Sequence, residues 1–347
     1  MSSKCSEIKS LKVFISDCEG PISINDNAFE LAGHFIEDGE KFFTVVSKYD
    51  DILAYKVKRK GYYAGGTLKL ISPFLKAYGA TNENIIEFSN VHLVPQAKET
   101  LNFVKSIMHS FIVSTSYKQY IQALCDLTGF PFENTYFTSL DLDKCSVGGE
   151  EKQRLMEFRK IIVENPDFET LDNIFSDEIL KLSVCKIMKN VNPVGGERKK
   201  EAVLDIINKY GFEESNIMYV GDSITDVEAL KFVKEHGGLA ISFNGNEYAV
   251  MSAEIAVMAD NTVIISIIAD LFNKFGKIKV IDFIESYMDN PEDALNKYTV
   301  NNGLKEIIKQ VNLPKIATIT DENYERVVNE SKTFRNILRG EAIAALG

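Results

Sequence analysis

The chain has 347 residues, of which 45% are hydrophobic, with a formal net charge of −11 and a pI near 5.1. That length can bury a sizeable core, as one large domain with insertions or as two to three small ones. The acidic balance counts against nucleic acid or an anionic membrane surface as the main partner.

The first residues, MSSKCSEIKSLKVF, have no sustained apolar core and no small-residue cleavage pattern, so no secretory leader is expected. The longest apolar stretch, TVIISIIADLF (262–272), is too short to span a bilayer and carries Asp270, so the chain is not expected to be membrane-embedded. Cys5, Cys18, Cys125, Cys145 and Cys185 are scattered without a CxxC pair, which fits a reduced, cytoplasmic compartment rather than a disulfide framework.

LKVFIS (11–16) has the pattern of a short buried strand, and it stops at DCEGP (17–21). Residues 25–94 follow with apolar side chains at helical spacing and a candidate N-cap at Asp26 or Asn27, which predicts an inserted helical unit. A helix is expected after Pro95, with Ala97, Leu101, Val104 and Met108 on one face. SFIVSTS (110–116) is the next strand. A further helix is expected, capped by Ser116 and closed by Gly129. TYFTSL (135–140) reads as a third strand, and 141–190 as a charged, mostly helical second insertion. Val203, Ile206, Ile207 and Tyr210 stripe a helix that Gly211 ends. NIMYVGD, GLAISFNGN and EIAVMAD supply three more strands, and 276–347 reads as a helical extension. Strands alternating with helices predict an α/β fold, a doubly wound parallel sheet covered on both faces. Core segments are expected at 1–24 and 95–275.

Three strands end on reactive residues: Asp17 with Glu19, Ser114 with Thr115, and Asp222 with Asp226. In an open parallel sheet these ends face one crevice, and the acids converge there if the strands are neighbours. Hard oxygen donors without His or Cys suit Mg²⁺. Lys199 opens a helix after the glycines of NPVGGERKK, flanked by Arg198 and Lys200. A divalent ion and an ammonium facing a hydroxyl and a nucleophilic carboxylate make a site for a phosphoryl group. Asn244, in FNGN, follows a strand on the same side and is a candidate for that pocket, although a turn-forming Asn-Gly accounts for it equally. Alone, GDSITD (221–226) reads equally well as a helix-capping device. Thr115 and Ser116 compete with Ser114 for the phosphate contact, and Ser116 reads better as a cap.

These four elements, DCEG (17–20), FIVS ending at Ser114, Lys199 and GDSITD, resemble the haloacid dehalogenase (HAD) superfamily of aspartyl-phosphate-forming phosphatases. The separation of 23 positions between Lys199 and Asp222, with VHLVPQAKETLNFVKSIMHSFIVSTSYKQYIQAL, is similar to the phosphoserine-phosphatase-like branch. The resemblance implies a HAD Rossmann-like core, with 25–94 as a cap that closes over the site. It implies Asp17 as nucleophile and metal ligand, and Glu19 as proton donor and then base, lending its backbone carbonyl to the metal. Gly20, Ser114, Thr115 and Lys199 would hold the phosphoryl group. Asp222 would ligate Mg²⁺, and Asp226 would orient the metal's waters or the lysine. Glu19 departs from the pattern, since most phosphatase members have Asp there, and Pro21 stands where Thr or Ser is usual.

The resulting expectation is a Mg²⁺-dependent phosphatase of a small phosphorylated metabolite, with phosphoserine the first substrate to consider. FISDCEGPIS…NDNAFELA is also similar to archaeal HAD-like proteins named as an energy-converting hydrogenase A subunit. That likeness implies the alternative of a HAD-fold subunit whose insertions and tail dock a protein partner. A phosphotransferase, with Glu19 tuning proton transfer between two substrates, is a third reading.

Overall fold

The computed structural model describes residues 11–346. Cys5, and the part of the first core segment that lies in 1–10, fall outside the described residues. Seven strands form one sheet in the order β3-β2-β1-β4-β5-β6-β7. They are β1 (Val13–Ser16), β2 (His109–Tyr117), β3 (Thr135–Thr138), β4 (Ile217–Gly221), β5 (Leu239–Phe243), β6 (Ile255–Met258) and β7 (Lys315–Thr318). All neighbours pair in parallel except β6 and β7.

Parallel strands covered on both faces need apolar residues at every position. In β1, Val13 and Ile15 pack with Val203 and Ile206 of the helix Glu197–Tyr210, whereas Phe14 joins the opposite cluster with Leu101 and Ile268. β4 divides the same way, with Ile217 and Tyr219 on one face and Met218 and Val220 on the other. Ser16 stands opposite Ile112 of β2 and Val220 of β4. The carboxyl ends of β2, β1 and β4 are therefore adjacent, at the point where the chain switches from building one side of the sheet to the other.

Above those ends lie the helices Asn27–Phe35, Gly39–Asp51, Thr67–Ala77 and Asn82–Phe88. They share one apolar cluster with the helices Gly149–Glu164 and Cys185–Asn190, in which Phe42, Val46 and Phe74 join Leu155 and Ile187, and Phe74 also meets Phe175 of the turn Ile174–Glu178. Asp26 caps the first of these helices by accepting from Phe29 N. Pro73 lies inside the helix Thr67–Ala77, and Ser72 Oγ donates to the Lys69 carbonyl that a proline nitrogen leaves without a donor.

Two local features differ from the sequence pattern. Ser116 belongs to β2 rather than capping a helix, because its amide donates to Ser114 Oγ while the strand runs on to Tyr117. The segment after 275 is helical except for β7, whose Ile316 and Ala317 are buried against β6. Among the described residues no helix is long and apolar enough to cross a membrane.

Candidate active site

Asp17 directly follows β1, and its amide continues the ladder by donating to Val220 O at 2.8 Å. The pairing fixes the carboxylate: Oδ1 accepts from Cys18 N at 2.6 Å and Oδ2 from Lys199 Nζ at 2.6 Å. Lys199 is completely buried, and its ammonium also reaches Asp226 Oδ1 at 2.8 Å. Burial lowers the Lys199 pKa, but Asp17 and Asp226 outweigh it and hold the ammonium above its ordinary value. Burial pushes Asp17 up to about 7, against the attraction of Lys199 and with help from Asp226 and Asp222.

Asp222 follows β4 and is buried. Asp226 ends a single 3₁₀ turn, where Ser223 and Asp226 form a capping box. Both Asp226 oxygens are used. Oδ2 accepts from the Asp222 and Ser223 amides at 3.1 Å, while Oδ1 takes Lys199 and, at 2.7 Å, the Tyr219 hydroxyl. The capping reading of GDSITD therefore holds together with a place in the site.

Between these strands the loop 18–23 makes a tight turn, with the Ile22 and Ser23 amides donating to Cys18 O. Gly20 has φ +105°, and a Cβ there would lie 2.2 Å from Asp222 Oδ2. Only glycine lets the loop lie this close to the acid. Glu19 turns toward the helical layer and accepts from Asn27 N at 2.8 Å. Burial, then the nearby Asp26 charge, raises its pKa well above the usual carboxylate range.

Asp17, Asp222 and Asp226 each have an oxygen within 4.8 Å of the others, a group of hard donors that suits a divalent cation such as Mg²⁺. The Glu19 carboxylate is outside that group, leaving only its backbone carbonyl for the ligand position expected of it. Because Asp226 is saturated by Lys199, Tyr219 and two amides, Asp17 and Asp222 are the side chains available to such an ion.

Two further expectations are corrected. Ser114 is not among the cavity's lining residues and its hydroxyl is bonded to Ser116 Oγ at 3.0 Å, whereas Thr115 of the same strand does line the cavity, with its hydroxyl donating to Val194 O at 2.9 Å. Asn244 adopts φ 46° and spends its amide on the backbone of Ala259, donating to O at 2.7 Å and accepting from N at 2.9 Å. It ties the end of β5 to the chain after β6 and does not line the cavity.

That cavity measures about 90 Å³ and is walled by Asp17, Glu19, Asp222 and Thr115 below and by Asp51, Thr67 and Leu68 from the helical layer. Asp51 is pushed up to about 7, by burial and then by Asp50. The C-terminal helix Tyr324–Arg339 supplies Arg335 and Arg339 to the same wall, followed by Ile343 and Leu346. Sequence reasoning missed Tyr219, which carried no signal beyond a strand residue, and both arginines, which sit in an ordinary amphipathic helix.

No family model and no curated protein sequence matches the chain. Among solved structures, a gene product from Archaeoglobus fulgidus is similar at 29% identity and TM-score 0.78, covering 97% of this chain and 99% of that one. A substrate-bound phosphoserine phosphatase matches at 14% identity and TM-score 0.47, over 74% and 96% of the two chains. A HAD family hydrolase from Salmonella enterica matches at 13% and 0.41, over 68% and 64%.

Proposed function

We propose that this chain is a HAD-type phosphatase that hydrolyses a small phosphomonoester through a phosphorylated Asp17. The observation that carries this reading is the contact of Asp17 with Lys199 beside Asp222, at the joined ends of β1 and β4. Lys199 favours the ionised form of Asp17, which burial otherwise disfavours. An Asp17 oxygen attacks phosphorus, the ester P–O bond breaks, and Glu19 delivers its proton to the departing alkoxide. The Glu19 carboxylate then takes a proton from water, whose oxygen displaces Asp17 and yields inorganic phosphate. Mg²⁺ held by Asp17 and Asp222 would neutralise the phosphoryl charge in both steps. Phosphoserine, by resemblance to that branch, is the first substrate to test. The helical layer carries the leaving-group side of the cavity.

Purified protein with Mg²⁺ and a panel of phosphomonoesters is expected to release phosphate, and Asp17→Asn to reduce release to the blank. Unchanged release by Asp17→Asn would remove the phosphoenzyme. Transfer of the phosphoryl group to an added alcohol in preference to water would identify a phosphotransferase built on the same chemistry.

A further inference from the structure

Arg335 and Arg339 lie more than 100 positions beyond Asp222 in the sequence, yet both reach its carboxylate. Their side chains are 3% and 6% exposed. Arg335 Nη1 donates to Asp222 Oδ2 and, at 3.3 Å, to Asp222 O. On its other edge, Nε donates to Ala344 O at 3.1 Å and Nη2 to Leu346 O at 3.3 Å. Arg339 Nη1 reaches Asp222 Oδ2 at 3.2 Å, and its Nε donates to Ile24 O at 2.9 Å. Backbone carbonyls on three segments thus fix both guanidiniums at the cavity wall.

The other ionisable side chains on that wall are acids. Asp17, Glu19, Asp26, Asp50, Asp51 and Asp222 line it, and among the described residues Arg335 and Arg339 are its cations. Lys199 lies beneath, fully buried and occupied by two acids. On this wall the two arginines are the side chains that attract a phosphoryl dianion. Asp222 takes both guanidiniums, and Asp26 lies close enough for both to hold its pKa down against burial. All three Arg335 nitrogens already donate, whereas among the described residues no hydrogen bond engages Arg339 Nη2, which is open to a phosphoryl oxygen beside the charge of both groups.

Resting on the phosphatase reading above, we propose that Arg335 and Arg339 are substrate-binding residues that receive the oxygens of the phosphoryl group. The C-terminal helix is then part of the active site rather than an appendage, and the carbonyls of Ala344 and Leu346 orient one of its two anion-binding groups.

The test is calorimetric titration of the full-length protein, first with Mg²⁺ and then with inorganic phosphate. It compares the parent with Arg335→Gln, Arg339→Gln and Arg335→Lys. Each glutamine variant is expected to weaken phosphate about tenfold or more while Mg²⁺ binding is retained or tightened. Arg335→Lys should recover part of the loss, because it keeps the charge without the fork. Arg339→Gln leaves Arg335 on Asp222, and retained Mg²⁺ binding reports a folded site. Tighter Mg²⁺ with unchanged phosphate affinity would overturn the proposal and make the arginines mere competitors of the metal. Failure of the parent to bind phosphate in the presence of Mg²⁺ would overturn the phosphatase reading and this inference together.

Discussion

Lys199 Nζ and Asp17 Oδ2 meet at 2.6 Å across 182 residues of chain, in a place from which solvent is excluded on the lysine side. The ammonium is a buried counter-ion to two carboxylates before it is anything else, since Asp226 takes its other face at 2.8 Å. Removing one partner of such a cluster leaves uncompensated buried charge. Lys199→Met is expected to cost roughly 3–5 kcal/mol of folding stability at pH 8. The loss should shrink at pH 5, because acids stripped of their cation titrate higher and protonation relieves them. Urea unfolding at the two pH values checks this, and an equal loss at both would show that packing alone is at stake.

Glu19 gives a separable kinetic expectation. In the proposed mechanism this side chain protonates the leaving oxygen, and burial and then the Asp26 charge raise its pKa. Glu19→Gln keeps an oxygen for the Asn27 amide but has no proton to give, so turnover of an alkyl phosphate should fall by about 10²–10⁴-fold. A nitrophenyl phosphate, whose leaving group needs no acid, should lose much less in the phosphorylation step. Equal losses on both substrates would remove Glu19 as the acid.

Gly20 tests the geometry of the cluster without touching a charge. In Gly20→Ala the new Cβ would fall 2.2 Å from Asp222 Oδ2 in a backbone conformation, φ +105°, that alanine rarely adopts. Loss of Mg²⁺ binding and of phosphate release is expected, with a lowered melting temperature. Intact Mg²⁺ affinity would mean that Asp222 can move aside without consequence.

Asp51 should make stability depend on pH. Its pKa rises from 3.8 in the free side chain to about 7 in the fold, so the folded state holds its proton more tightly than the unfolded chain does. The stability this gives is complete below pH 4 and is lost as pH rises toward and through 7, by at most about 4 kcal/mol. Asp51→Asn is expected to match the parent near pH 4 and to exceed it at pH 8. A variant equally stable or less stable at pH 8 would contradict the assignment.

Much of this was legible in the sequence, and for a physical reason. A strand buried on both faces must be continuously apolar, and it must stop where the chain turns polar. Asp17 and Asp222 therefore announce themselves as the tips of VFIS and IMYVG, and β1 and β4 pair there in the structure. Glycine is likewise readable as a demand of the backbone, as Gly20 at φ +105° demonstrates.

Side-chain direction and long-range partnership were not legible. Ser114 and Thr115 are adjacent hydroxyls on one strand, and only the structure shows that Thr115 is the one lining the cavity. Asn244 reads alike as pocket or turn until Ala259 is seen to take its amide. Arg335 and Arg339 carry no local mark, because helical periodicity records which face of a helix is covered and not what covers it. The sequence by itself determined six short strands along the chain and the acids at the tips of β1 and β4, since those follow from the solubility of each short segment. The fold alone decided that an arginine pair from the far end of the chain stands at Asp222, since that contact depends on how separate helices pack.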